Sequence, residues 1–317
     1  MSEFSLIQRY FTRATPAAVL GVGDDAALVR VGTGMELAIS TDMLVSGTHF
    51  FPDADPYMLG HKALAVNISD MAAMGAKPRW ATLALSMPTE DEAWLERFSA
   101  GFFALADAHQ VGLIGGDTTR GPLNLCVTIL GEVPQGEALR RDGAQPGDEV
   151  WVSGKLGDAA LALAHMQRKL ELDRHSFAAT ATALHLPVPR IALGLALRGV
   201  AHSAIDVSDG LLADLGHILE RSGVAAGIQF GKLPVSTQLR PFLAQALGQQ
   251  CVLAGGDDYE LCFTAAQERR AEIEKLAVQL RLPLTCIGKI GAGSGCTVYA
   301  ADGSVMTTGA AGYDHFA

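Results

Sequence analysis

The residues of this sequence that could do chemistry are its aspartates, and they recur in one kind of setting. Gly23-Asp24-Asp25, Ser40-Thr41-Asp42, Asn67-Ile68-Ser69-Asp70, Gly115-Gly116-Asp117-Thr118-Thr119, Asp206-Val207-Ser208-Asp209-Gly210 and Gly255-Gly256-Asp257-Asp258 each set an acid beside glycine or a small polar residue. Aspartate with neighbouring hydroxyls is a donor set for hard divalent cations, which prefer oxygen. Carboxylates gathered without a cation would repel one another and hold some of their number protonated. Any one of these acids alone reads as a helix N-cap or a turn residue. Their repetition in one chain favours metal ions.

The familiar nucleotide motifs are absent. The sequence holds no G-x-x-x-x-G-K-[ST] loop, no G-x-G-x-x-G after a strand, no H-R-D and no H-E-x-x-H. Gly154-Lys155-Leu156-Gly157 could cradle a phosphate with backbone N–H groups, though a plain turn reads as well.

The elements that must position these acids follow from hydrophobic periodicity. Strands are expected at 35–40, 80–87, 111–114, 123–133, 149–153, 202–207, 284–290 and 296–300. Helices are expected at 56–74, 90–109, 189–197, 211–222 and 267–280, the second carrying Trp94, Phe98, Phe102 and Leu105 on one stripe. Most of the acids then fall at element ends, where α/β proteins build sites. The alternation predicts a mixed α/β fold in two domains, 1–136 and 147–317, separated by a stretch rich in proline, glycine and charge.

Composition narrows the function further. The 317 residues are 49% hydrophobic and 18% charged, enough to bury a large core. The net charge of −10 with no basic run argues against nucleic acid. Cys126, Cys251, Cys262, Cys286 and Cys296 form no C-x-x-C pair, which disfavours zinc or a disulfide framework and fits a cytoplasmic protein. No signal peptide and no membrane span are expected.

The run Gly21-Val22-Gly23-Asp24-Asp25-Ala26-Ala27, then Ser40-Thr41-Asp42, His49-Phe50, Lys62 through Ala76, Gly115 through Thr119, Asp206 through Leu211 and a closing Gly312-Tyr313-Asp314-His315-Phe316 resembles the thiamine-monophosphate kinase family. The match runs in order along the whole chain. The resemblance implies an N-terminal α/β domain whose sheet pairs with a second copy to close a barrel across a homodimer, and a C-terminal α/β domain beside it. It implies an ATP-dependent phosphorylation of thiamine monophosphate with several Mg2+ ions. Asp25, Ser40, Thr41, Asp42, Asp70, Asp117, Asp206 and Asp209 would be metal ligands. Gly116, Asp117, Arg141 and Ser208 would contact ATP, with Arg140 a rival to Arg141. His49, Asp257 and Tyr313 would contact the thiamine substrate, Asp257 standing where the family usually has the longer glutamate.

Related enzymes share part of this pattern. Selenophosphate synthetases typically need a reactive cysteine near the N-terminus, whereas the first cysteine here is Cys126. Aminoimidazole ribonucleotide synthetase, and a non-catalytic regulator that binds ATP and Mg2+, are the other readings.

Overall fold

The structure is a computed structural model that describes residues 3–309 and 312. The chain divides into two compact units, Met1–Met71 with Ala76–Gly136, and Ala72–Gly75 with Glu137–Ala317.

In the first unit, helix α1 (Glu3–Leu6) runs into a π-helical turn at Ile7–Phe11. There follow β1 (Met35–Val45), α2 (Pro56–Ala73), β2 (Lys77–Met87), α3 (Glu92–His109), β3 (Gly112–Arg120) and β4 (Asn124–Pro134). The sheet order is β1-β4-β2-β3, with β2 and β3 parallel and the other pairs antiparallel. β4 shows the period of a half-buried strand: Leu125, Val127, Ile129, Gly131 and Val133 are buried, and the residues between them are partly exposed. The buried face packs on α2, whose residues 62–69 are all buried. Helices α2 and α3 cross closely because two glycines let them. A Cβ at Gly60 would lie 2.0 Å from the Phe98 carbonyl oxygen, and one at Gly101 would lie 1.9 Å from that of Tyr57. Asp91 caps α3 by accepting the Trp94 N–H, and Gln110 ends it in the left-handed conformation.

Two strands outrun their sequence-predicted ends. β1 was expected to stop at Ser40, yet it pairs with β4 through Val45, because Met43-Leu44-Val45 continue the strand-forming pattern. β3 likewise carries Gly115-Gly116-Asp117 within itself. Asp42 and Asp117 are therefore strand residues rather than strand-end residues.

The second unit contains β5 (Glu149–Ser153), α4 (Asp158–Met166), α5 (Arg174–His185), α6 (Ile191–Ala196), β6 (Ser203–Asp206), α7 (Leu211–Ser222), β7 (Ala225–Gln229), α8 (Ala246–Ala254), β8 (Leu261–Ala265), α9 (Arg270–Leu280), β9 (Leu284–Gly291) and β10 (Gly295–Tyr299). Its sheet order is β10-β7-β9-β5-β8-β6. β5 and β8 are buried at every position, so both sheet faces are covered. Val150 and Val152 join one core with Ile205, Leu211, Leu215 and Ile218. Trp151 and Phe263 join the other with Leu193, Leu197 and Ile273. Residues 137–146 belong to this unit, where Leu139 and Ala144 are buried.

Candidate active site

In the first unit the site residues gather where β1 meets α2. Partners across antiparallel strands share a face, so Ser40 lies with buried Ile129 and Asp42 with buried Val127, on the side that α2 covers. The Ser40 hydroxyl donates to Asp70 Oδ2 on α2. The Asp42 N–H donates to Asn67 Oδ1 at 3.1 Å, and Asn67 anchors itself by donating to the Ala63 carbonyl at 3.0 Å. Asn67 is fully buried, so its amide must be bonded, and these bonds tie strand to helix. Thr41 takes the opposite face, where its hydroxyl meets that of Thr128 at 2.8 Å.

Asp117 stands apart from this group. It pairs with Ala84, which pairs with Cys126, which pairs with Met43. Asp117 therefore shares the open face with Thr41 and not the α2 face with Asp42. β1 and β3 are also the two edges of the sheet, three interstrand spacings or about 14 Å apart. Gly116 is fixed by the sheet itself: at φ +153° a Cβ there would lie 1.9 Å from the Leu83 carbonyl oxygen. Asp25 is exposed, its N–H bonded to Asp24 Oδ1 at 2.9 Å. His49 turns back on its own loop, accepting the Val45 N–H at Nδ1 at 3.0 Å.

In the second unit, Asp206 is buried at the end of β6, opposite Leu261, and Val207–Gly210 follow as a loop into α7. The loop is held from two sides. The Val207 and Ser208 carbonyls accept the N–H groups of Tyr259 and Asp257, each at 2.8 Å. The buried Asp214 carboxylate accepts, through Oδ2, the N–H groups of Ser208, Asp209 and Gly210 at 3.0, 3.1 and 3.1 Å. Burial pushes the Asp214 carboxyl up to about 7; the Asp209 charge adds to this and the N–H donors oppose it. Ser208 and Asp209 are half-buried. Gly312 passes the same loop, since a Cβ there would lie 2.8 Å from the Asp209 carbonyl oxygen. Tyr313, the next residue, lies outside the described residues.

The segment after Gly256 is strained. Asp257 (φ 69°) and Tyr259 (φ 49°) both adopt the left-handed conformation, which is costly for residues with a side chain. The Tyr259 hydroxyl donates to Asp257 Oδ1 at 3.2 Å. Next in the chain, Glu260 accepts from Arg190 Nε at 2.6 Å, from Arg190 Nη2 and from the Ser153 hydroxyl. Asp258 takes the Gly157 N–H on both oxygens, at 3.0 and 2.8 Å. Burial pushes the Asp258 carboxyl well above the usual carboxylate range; the Gly157 N–H opposes this, and Glu260, Asp158 and Asp257 add to it. The Gly154-x-x-Gly157 turn is consequently structural. Its N–H groups at 154, 156 and 157 already donate to Pro283, Pro234 and Asp258. Arg140 is held in an ion pair by Asp142, while neighbouring Arg141 is exposed and its carbonyl accepts from the Ser222 hydroxyl.

Asp214 and Arg190 escaped the sequence reading, and Asn67 and Glu260 stood in its motifs without a role of their own. Asp214 carries one usable signal: it is an acid in the first turn of a helix, three residues past Leu211 and next to Leu215, on an otherwise apolar stripe.

Among the described residues no three His, Cys, Asp or Glu side chains converge to hold a metal ion. Mg2+ seldom requires such a cage. It keeps several waters and is usually bound by one or two carboxylates together with substrate phosphates. The donors present, Asp42 with Asp70 and Ser40 in one unit and Asp206 with Asp209 in the other, are hard oxygens and suit that mode.

A family model for the N-terminal domain of AIR synthase related proteins matches residues 23–133, and one for their C-terminal domain matches residues 145–301. Fold and site together thus define an AIR synthase related protein. The thiamine-monophosphate kinase of Salmonella typhimurium is 47% identical over 319 residues, covering 99% of this chain and 98% of its own. The crystal structure of thiamine-monophosphate kinase from Stenotrophomonas maltophilia K279a matches with a TM-score of 0.88 at 50% identity, over 96% of this chain and 98% of that one. AaThiL complexed with AMPPCP and TMP matches with a TM-score of 0.79 at 32% identity, over 93% and 92%. The chain belongs to the thiamine-monophosphate kinase family.

Proposed function

We propose that the chain transfers the γ-phosphoryl group of ATP to the phosphate of thiamine monophosphate, giving thiamine diphosphate and ADP. The observation that carries this reading is the full-length 47% identity to a thiamine-monophosphate kinase. A solved relative complexed with AMPPCP and TMP supports it.

The acceptor is a phosphate oxygen, ionised at neutral pH, so no general base is needed. The chemical problem is the repulsion between two anions and their alignment. Asp42 and Asp70 with Ser40, and separately Asp206 with Asp209, would hold Mg2+, and Asp25, Asp117 and Thr41 would add oxygen donors from positions of their own. Bound there, Mg2+ supplies the positive charge that offsets phosphate repulsion. This division of labour explains a site rich in aspartate: the acids serve the cation and leave the phosphates to Gly116, Ser208 and Arg141. Arg140 is already engaged by Asp142, which favours Arg141 for ATP. His49, Asp257 and Tyr313 would contact thiamine monophosphate. Transfer is direct and in line, without a phosphoenzyme.

The protein acts as a homodimer in the cytoplasm. β1 is an edge strand, and Met35, Ile39 and Met43 on its open face are 42%, 60% and 54% exposed, an apolar stripe suited to a second copy. Among the described residues no helix is long and apolar enough to cross a membrane.

Incubation with ATP, Mg2+ and thiamine monophosphate tests the reading. Thiamine diphosphate and ADP should appear in equal amounts. ATP hydrolysis without thiamine diphosphate would reject it.

A further inference from the structure

Three successive N–H groups converge on a single atom in this protein, Asp214 Oδ2. Peptide N–H groups at consecutive positions meet one acceptor only when the backbone curls around it. Gly210, at φ +124°, completes the curl, and its contact with Ala254 leaves no room for a side chain. Asp214 itself is 3% exposed and cannot swing away to solvent without opening the core beside Leu211 and Leu215.

Helix capping does not account for this arrangement. The N-cap of α7 is Gly210, and two of the three donors, Ser208 and Asp209, lie before it. A carboxylate serving the helix alone would satisfy N–H groups of the first turn. This one reaches upstream to the two residues that carry site side chains. On the far side of the loop, Tyr259 and Asp257 hold the Val207 and Ser208 carbonyls.

We propose that Asp214 is a positioning residue: by gathering the Ser208, Asp209 and Gly210 N–H groups on one oxygen, it sets the backbone from which Ser208 and Asp209 reach ATP and its cation. This rests on the kinase reading for the roles of those two side chains, whereas the positioning itself is a property of the free protein.

Two measurements on the full-length chain separate these layers. Backbone amide exchange at residues 208–210 reads the positioning without substrate. In Asp214→Ala these amides should exchange at least ~10-fold faster, while those of the later turns of α7 stay protected. Steady-state kinetics read the consequence. The variant should lose at least ~10-fold in kcat and raise the KM for ATP, with the KM for thiamine monophosphate within about 2-fold. Asp214→Asn keeps an acceptor oxygen and should recover part of both effects. A purely structural Asp214 would lower Tm and leave the kinetic constants of the folded fraction unchanged.

The proposal is overturned if Asp214→Ala folds with exchange at 208–210 as in the wild type. It is also overturned if kcat and both KM values of that variant stay within about 2-fold of the wild type. Should Asp214→Ala not fold, Asp214→Asn decides: faster exchange confined to 208–210 supports the assignment, and unchanged exchange refutes it. If the wild type makes no thiamine diphosphate, the kinase reading fails and the exchange experiment still judges the positioning.

Discussion

Replacing Glu260 with alanine should destabilise the protein more than any surface substitution. Its carboxylate accepts two N–H groups of Arg190 and the Ser153 hydroxyl, and the Ser153 oxygen in turn accepts the Leu261 N–H. The Glu260 side chain is 6% exposed and that of Arg190 23%. Breaking a buried pair from one side typically costs ~3–5 kcal/mol, because the surviving charge is left without its partner. The partial exposure of Arg190 lets water take up some of that charge, which places the cost near the lower end, about 3 kcal/mol. The Ser153 hydroxyl adds about 1 kcal/mol for its lost acceptor. A unit of this size shifts Tm by ~2–4 °C per kcal/mol, so the variant should melt roughly 8–16 °C lower. Circular dichroism melts at constant pH measure this. The control is Arg190→Met with Glu260→Ala, which removes both charges and should recover about half of the loss. A single-variant shift under about 2 °C, or a double variant whose loss equals the sum of the two single losses, would refute the reasoning.

Other consequences can be checked alongside. Asp42→Asn and Asp209→Asn should each lower turnover at least ~10²-fold while leaving the melting curve near that of the wild type, and near-normal turnover in both would remove the metal assignment. Asp258 has its folded-state carboxyl raised above the ordinary 3.8, so the folded state favours the protonated form. Its contribution is most favourable below about pH 4 and is lost as pH rises toward the raised value. Asp258→Asn keeps an acceptor for the Gly157 N–H and does not titrate. Its Tm relative to the wild type should therefore climb as pH rises above about 4, and a constant difference would contradict the cause assigned to that shift. Ile39→Lys puts a charge in the exposed stripe of β1. Sedimentation should show the proposed homodimer shifting toward monomer, and a distribution unchanged from the wild type would remove this stripe as its interface.

Periodicity made most of the fold legible before any coordinates. The stripe of Trp94, Phe98, Phe102 and Leu105 marks α3, and all but Trp94 are buried there. The alternation of 124–134 marks β4. What escaped did so for identifiable reasons. β7 reads Ala-Ala-Gly-Ile-Gln, a poor strand former that becomes a strand by parallel pairing with β10 and antiparallel pairing with β9. α5 carries two threonines and two histidines and has a weak apolar stripe, so packing against α4 rather than propensity supports it. The site residues stood out in the sequence as acids beside small residues, yet their placement did not. Whether Asp42 faces α2, and whether Asp117 faces the other way, depends on strand register, and one residue of slip reverses it. Asp214 showed only as an acid on an apolar stripe, and its role stayed hidden for a related reason: its partners are backbone N–H groups, which leave no trace in residue type.

Following the label from [γ-32P]ATP tests the central claim most directly. With Mg2+ and thiamine monophosphate present, the label should appear in thiamine diphosphate, mole for mole with ADP, and none should remain on acid-precipitated protein. Label trapped on the protein would contradict direct transfer. ATP bound without any labelled thiamine diphosphate would instead describe a regulator and end the kinase account.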